Sequence, residues 1–132
     1  MAFAFEKLDV YRKAIDFGTT VIDVVERMNA PRNHFRLIEQ LEAAATSVAM
    51  NIAGGKGRYS KKEFRHFLYI ARGSLYETIA LLQILLKLKW IDLESYQNIY
   101  AGAEEISKML AGLIHSIGKT PTNTSPSEHY QL

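Results

Sequence analysis

The sequence predicts an all-α protein, an antiparallel up-down-up-down four-helix bundle. Apolar residues recur three and four positions apart through four long segments, the spacing of one face of an α-helix. Short stretches rich in glycine, proline or asparagine separate the segments. Helices of similar length joined by short connections pack antiparallel to their neighbours. We expect the bundle in residues 1–118 and a flexible, polar tail in residues 119–132.

Composition limits the classes of function. A chain of 132 residues, 48% apolar and 23% charged, is long enough to fold around one core without a covalent staple. The absence of cysteine excludes disulfides, thiolate zinc sites and cysteine nucleophiles. A net charge of +2 is too small to indicate nucleic-acid binding by itself. Any such function must therefore come from a local concentration of charge.

Two features bear on the compartment. Glu6 and Lys7 interrupt the start of the chain before an apolar core of signal-peptide length can form. The longest apolar run, residues 79–86, is broken by Gln83 and is far shorter than the roughly 20 residues of a membrane span. With the lack of cysteine, these features predict a cytoplasmic protein without a membrane partner.

The first predicted helix, about residues 6–29, carries two apolar stripes about 120° apart. The stripe expected to face the core contains Leu8, Tyr11, Ile15, Gly18, Ile22 and Val25. The second contains Val10, Ala14, Phe17, Val21, Val24 and Met28. Because the two together exceed the face that a bundle helix normally buries, the second stripe predicts a subunit interface. The similar apolar surplus of the third helix adds Leu81, Ile84 and Leu88 to it.

Local signals place the remaining boundaries. Pro31 breaks the chain and Asn33 is a suitable cap for helix two, which should end near Ala53 because Gly54-Gly-Lys-Gly57 follows. A Ser60-x-x-Glu63 capping box should open helix three at Lys61, and helix three should end near Leu88. Its core stripe is predicted to be Phe64, Leu68, Ala71, Leu75, Thr78, Leu82 and Leu85. Asp92 is the predicted cap of helix four, Leu93–Ile117, which Gly118 should end.

The strongest local signal is a basic edge around the start of helix three. Five cations fall within ten residues, opposed only by Glu63: Lys56, Arg58, Lys61, Lys62 and Arg65. Lysines in the first turn of a helix oppose its dipole, so helix stability does not explain them. Cations, glycines and free backbone amides at a helix start are suited to phosphate groups, which predicts a nucleic-acid backbone site. A merely solvated basic turn is the alternative.

Two tyrosines stand beside this edge. Tyr59 and Tyr69 are candidates for stacking on nucleic-acid bases. Packing in the core or in an interface is the more ordinary role for both residues.

Other motifs do not amount to a catalytic or metal site. Gly54-Gly-Lys-Gly57 follows no strand and lacks the Gly-Lys-Ser/Thr of a nucleotide-binding loop. A single Glu63-x-x-His66 is half of what a di-iron bundle needs, and His34, His115 and His129 have no ligand spacing. We therefore predict no metal, no cofactor and no enzymatic activity. A small hydrolase or metal enzyme would need a nucleophile, base and orienting group that we do not find.

A buried polar cluster is expected between helices two and three. Ser47 and Asn51 lie one turn apart on helix two, and Ser74 and Glu77 are similarly placed on helix three. Asn51 and Glu77 are positioned to meet Arg58 or Arg72. A catalytic pair is conceivable, but a hydrogen-bonded network that fixes helix register is the favoured interpretation.

Several segments together resemble a known family. They are Phe5–Tyr11, Gln40-Leu through Ser47-Val-Ala-Met-Asn-Ile-Ala, Gly55-Lys-Gly-Arg58 and Phe67–Glu77. The chain resembles, over residues 3–118, the four-helix-bundle proteins encoded by intervening sequences in bacterial large-subunit (23S) ribosomal RNA genes. Family members usually have glutamate where this chain has Gly54. The resemblance implies a ring-like homo-oligomer, plausibly a pentamer, without established enzymatic activity. Accessory proteins of diversity-generating retroelements, which bind nucleic acid and a reverse transcriptase, are more distantly similar.

Two functions follow from these expectations. The leading hypothesis is a non-enzymatic homo-oligomeric scaffold that contacts RNA or a ribonucleoprotein through the basic edge. The alternative is a protein-interaction module whose surplus apolar faces bind a different protein, without nucleic acid. Salt-dependent RNA binding would distinguish the first from the second.

Overall fold

The computed structural model describes residues 3–31 and 34–118, and these residues form five helical elements. They are a 3₁₀ turn at Ala4–Lys7, α1 at Asp9–Arg27, α2 at Phe35–Lys56, α3 at Lys61–Lys87 and α4 at Leu93–Gly118. No strand occurs within these ranges, so the all-α prediction is confirmed. The predicted cap Asn33 and the predicted tail, residues 119–132, lie outside the described residues.

The four long helices form a closed ring in which each packs against two neighbours: α1 on α2, α2 on α3, α3 on α4, and α4 on α1. Along α2 the contacts progress from Gln40 to Gly55, while on α3 they run backward from Glu77 to Phe64. The α3–α4 and α1–α4 pairs show the same reversal. Their contacts join Gln83 to Tyr96, Arg65 to Gly118, Lys13 to Glu105, and Asn29 to Trp90. Neighbouring helices are therefore antiparallel.

The sequence prediction is wrong about which of the two apolar stripes of α1 is the more deeply buried. The stripe assigned to a subunit interface lies in the core of the single chain, where Val10, Ala14, Phe17, Val21 and Val24 are buried. Met28 at its end is half-buried against that core. In the stripe expected to be central, Gly18 is buried, Ile15 is exposed, and the other four residues are half-buried: Leu8, Tyr11, Ile22 and Val25. Because α1 must contact both α2 and α4, the bundle itself covers the wide apolar face.

A similar correction applies to part of α3. The predicted core stripe is confirmed, because all seven of its residues, Phe64 to Leu85, are buried. Leu81, predicted at a subunit interface, is 6% exposed and belongs to the same core. Ile84 and Leu88, assigned to the same interface, are 48% and 49% exposed. Of the residues predicted to form the interface, only Ile84 and Leu88 are exposed in the folded chain.

Capping hydrogen bonds fix where α3 and α4 begin. The Ser60 hydroxyl accepts a hydrogen bond from the Glu63 amide at 3.1 Å, as the capping motif predicts. At α4, the Ser95 amide donates to the Asp92 carboxylate at 2.6 Å. Hydrogen bonds from the side chain and the amide of Ser95 hold the pKa of Asp92 below its usual range. Both predicted caps are confirmed.

The end of α3 has an unusual backbone conformation. The amide of Lys89 donates to the Leu86 carbonyl and that of Trp90 to the Leu85 carbonyl, both at 3.0 Å. This pair of bonds is the Schellman motif, which requires a left-handed residue that is usually glycine. Here the residue is Lys89, with φ of 63°. The motif turns the chain toward α4, and the Asn29 amide then donates to the Trp90 carbonyl at 3.1 Å.

We predict that Lys89→Gly raises the free energy of unfolding by about 0.5–1 kcal/mol, because glycine adopts left-handed geometry without a Cβ clash. Urea unfolding followed by circular dichroism measures the change. Lys89→Ala removes the same charge but keeps the Cβ, so it should stay within about 0.5 kcal/mol of the original protein. A glycine variant no more stable than the alanine variant would contradict the prediction.

Candidate nucleic-acid interface

The predicted basic edge, residues 56–65, covers the end of α2, the connection at residues 57–60 and the first turn of α3, and we call it the basic turn. Helix α2 ends later than predicted, because it continues past Ala53 through Gly54 and Gly55 to Lys56. Neither glycine has a positive φ. Gly55 is buried, and a Cβ built on it would lie 2.5 Å from the Cβ of Phe67 and 3.1 Å from Cδ1 of Phe64. Packing against α3 therefore overrides the weak helix propensity of glycine.

The two phenylalanines that contact Gly55 also hold two cations of the turn. The Lys56 ammonium lies 5.4 Å from the ring centre of Phe64, and the Arg58 guanidinium lies 4.6 Å from that of Phe67. These are cation–π distances, and at exposed sites such contacts stabilise by ~0.5–1 kcal/mol each. A ring positions a cation without cancelling its charge. Arg58 and Lys56 are therefore oriented but still available to an anion.

The other cations of the turn are placed by the start of α3. Lys61 and Lys62 are exposed in its first turn, where the free backbone amides carry partial positive charge. Arg65 is half-buried, and its Nη1 lies 3.0 Å from the position of a Cβ on Gly118. Four of the five predicted cations thus face solvent around the turn, while Arg65 leans against the end of α4.

The two tyrosines have different environments. Tyr69 is half-buried against the core and has the Arg72 guanidinium 5.0 Å from its ring centre, so it packs as expected. Tyr59 does not pack in the core: its relative exposure is 105%. The expectation of core packing is wrong for Tyr59, because the turn projects beyond the ends of α2 and α3.

An open cleft of about 740 Å³ runs along the first turns of α3. In the described part of the chain it is lined by Arg58, Lys62, Glu63, Arg65, His66, Phe67 and Tyr69. Three of these residues carry positive charge, and Glu63 is the one carboxylate among them. Sequence reasoning did not assign Phe64 and Phe67 to the site. Phe64 was interpretable only as a core residue, and no periodicity indicates that a ring will lie beneath a cation.

Comparison with known proteins agrees with this architecture. Residues 6–112 match the family described as 23S rRNA-intervening sequence protein. The chain belongs to this family. A crystal structure of a protein of unknown function from the S23 ribosomal protein family of Bacteroides thetaiotaomicron is 26% identical, with a TM-score of 0.71. That match covers 84% of this chain and 99% of the other. No curated protein matches.

The family resemblance inferred from the sequence is therefore confirmed. The similarity to accessory proteins of diversity-generating retroelements is not addressed by these matches and stays a prediction. The family position at which we expected glutamate, Gly54, is exposed on α2, and a Cβ there would lie 4.0 Å from Cε1 of Phe67. This distance is ordinary van der Waals contact, so the fold accepts a side chain at Gly54 and excludes one at Gly55.

The polar cluster predicted between α2 and α3 forms in part. The Ser47 and Ser74 hydroxyls are 2.9 Å apart, and the Asn51 amide donates to the Ser47 hydroxyl and carbonyl, each at 2.8 Å. Glu77 lies outside the cluster: it is exposed, and its carboxylate is 3.5 Å from the Gln40 amide nitrogen. The cluster joins α2 to α3.

Neither predicted arginine reaches this cluster. Arg58 stacks on Phe67, and Arg72 lies over Tyr69. The inner position next to Ser74 belongs to Thr78, which is one turn later and donates to the Ser74 carbonyl at 2.8 Å. Around the helix axis, Glu77 lies about 60° to one side of Ser74, and Thr78 lies about 40° to the other. Glu77 is therefore at the edge of the α2–α3 interface.

Two other kinds of site are absent from residues 3–31 and 34–118. No group of three or more histidine, aspartate or glutamate side chains could hold a metal ion. None of the helices combines the length and the apolar character needed to cross a bilayer.

We predict opposite effects for alanine at the two adjacent glycines. Gly54→Ala should raise the free energy of unfolding by about 0.5–1 kcal/mol, because it replaces an exposed helical glycine. Gly55→Ala should lower it by about 1–3 kcal/mol, since the new methyl overlaps Phe67. Urea unfolding of the two variants provides the comparison, and each serves as the other's control. If Gly55→Ala raised the free energy of unfolding, as Gly54→Ala should, α2 and α3 would not be in close contact at Gly55.

Proposed function

We propose that this protein is a non-enzymatic, homo-oligomeric scaffold that binds the phosphate backbone of RNA, free or in a ribonucleoprotein, through the basic turn. The observation that carries the proposal is the placement of Lys56 and Arg58 on phenylalanine rings. On the flank of the bundle, Lys13 is paired with a carboxylate, that of Glu105, at 2.8 Å. Lys56 and Arg58 instead lie over aromatic rings. The rings hold these two cations in place but do not neutralise their charge.

The surroundings of the turn favour a phosphate ligand. Lys61 and Lys62 add two exposed charges at the start of α3, where they are unfavourable for the helix by about 0.3–1 kcal/mol each. An anion at this position would relieve that repulsion and accept hydrogen bonds from free amides. Contacts of this kind carry no base information, so we propose binding that depends on charge and salt rather than on sequence.

We predict that replacing Lys56, Arg58, Lys61 and Lys62 together with glutamine weakens RNA binding and flattens its salt dependence. The slope of log affinity against log salt should decrease by roughly 0.7–1 for each phosphate contact removed. Fluorescence anisotropy with end-labelled RNA over a salt series measures both quantities.

The matched control for this variant removes four exposed cations elsewhere: Arg36, Lys87, Lys89 and Lys108 to glutamine. The two variants have equal net charge, so a difference between them reports position rather than charge. If both lose affinity equally, the basic turn is not the binding site. If neither loses affinity, the nucleic-acid proposal fails.

The proposal of self-association rests on apolar side chains that α3, α4 and the connection between them leave exposed. Large apolar side chains are exposed there: Tyr76, Ile84, Leu88, Leu93 and Tyr100. Between the two helices lies a groove of about 320 Å³, with Tyr76, Ile79 and Tyr100 among its lining residues. Exposed apolar patches of this kind mark interaction surfaces. A ring of copies is the arrangement that the family resemblance implies, and a pentamer is its expected size.

The same groove supports the second candidate function, a module that binds a different protein. Its apolar lining would accept the apolar face of a foreign helix as well as that of another copy. The mass of the purified protein distinguishes the two. A discrete multimer supports self-association, whereas a monomer with this face open supports a foreign partner.

We predict that Ile84→Glu combined with Tyr100→Glu converts a multimer into a monomer, because the interface would have to bury two unpaired carboxylates. Size-exclusion chromatography with light scattering gives the mass, and circular dichroism verifies folding. Ile15→Glu is the control: Ile15 is also exposed but lies on α1, so that variant should keep the original mass. A multimer that survives the double substitution would place the interface elsewhere.

A further inference from the structure

We infer that the basic turn binds an unpaired nucleotide of RNA, whose base stacks on the ring of Tyr59. This inference rests on the proposed function and specifies its ligand. Tyr59 has a relative exposure of 105% within the turn, whereas Phe64 is buried and the ring of Phe67 lies beneath Arg58. An aromatic ring held in water loses the stabilisation that burial would give it. Its position needs a reason other than the packing of this chain.

The backbone on both sides of Tyr59 is fixed. The Arg58 amide donates to the Gly55 carbonyl at 3.1 Å, and the Ser60 hydroxyl caps α3 through the Glu63 amide at 3.1 Å. Tyr59 is therefore presented between two hydrogen-bonded residues. A tyrosine also has few rotatable bonds, so it can become ordered at small entropic cost when a ligand binds. These are the properties of a stacking platform.

The charges beside Tyr59 match the chemistry of a nucleotide. Arg58 precedes it directly, and the Cα of Lys61 can be no more than about 7 Å from that of Tyr59. A base on the ring would thus have cations within reach of its flanking phosphates. In a duplex the faces of the bases are covered by their neighbours, so a ring of this kind accepts bases from single strands, loops or bulges. Since every base has an aromatic face, the site should tolerate any sequence.

The test compares a short unstructured RNA with a fully paired duplex of the same sequence by fluorescence anisotropy at one salt concentration. Tyr59→Ala should weaken binding of the single strand roughly 5- to 150-fold and change binding of the duplex little. Tyr59→Phe keeps the ring and should bind as the original protein does. Because Tyr59 is exposed, neither change should affect folding, and urea unfolding verifies this.

A second readout uses the fluorescence of tryptophan. In Tyr59→Trp, addition of the single strand should quench the new indole, while the original protein, with Trp90 alone, gives the baseline. Absence of extra quenching, or a Tyr59→Ala variant that binds the single strand with unchanged affinity, would overturn the inference.

The remaining outcomes separate this inference from the proposed function. If the four-fold glutamine variant loses binding and Tyr59→Ala does not, the proposal of backbone binding stands and the inference of base stacking fails. If Tyr59→Ala loses equal affinity for the single strand and the duplex, the stacking inference also fails, since stacking requires an unpaired base. A change in mass for Tyr59→Ala would make Tyr59 a subunit contact instead. If the original protein binds neither RNA, both proposals fail.

Discussion

At Gly55, helices α2 and α3 approach so closely that a single methyl group would overlap the Phe67 side chain. This contact holds the last turn of α2 against the start of α3. It holds α2 in helical geometry past Ala53, and it places the phenylalanine rings where Lys56 and Arg58 lie over them. The shape of the basic turn and the placement of two of its cations therefore both follow from the packing of α2 on α3.

Two separate sets of contacts fix the register of α2 against α3. Ser47, Asn51 and Gly55 are each one turn apart and share a face of α2. The first two form the hydrogen-bonded cluster with Ser74, and the third makes the close contact with Phe67. A shift of one turn would separate the hydroxyls in a half-buried interface and press Gly55 against a different part of α3. Polar and steric constraints thus select the same alignment, which is how buried polar groups specify a unique structure.

Charge is distributed unevenly between the flanks of the bundle and its end. On the flank, Lys13 is paired with Glu105, whose hydrogen bond and charge hold the pKa of Lys13 above its usual range. Being exposed, that pair is screened by water and adds little stability. In the basic turn, Lys56 and Arg58 instead lie over the rings of Phe64 and Phe67. This contrast is the physical basis of our proposal that the turn, rather than the flanks, binds an anionic ligand.

The sequence by itself determined the all-α fold, the caps at Ser60 and Asp92, and the core stripe of α3, because these depend on spacing and on hydrogen bonds within a few residues. Only the tertiary structure decided which stripe of α1 is buried, since two apolar faces of one helix have the same period. It also decided the continuation of α2 through Gly55, the cation–ring contacts and the full exposure of Tyr59. Each of these depends on a neighbouring helix, which no local pattern specifies.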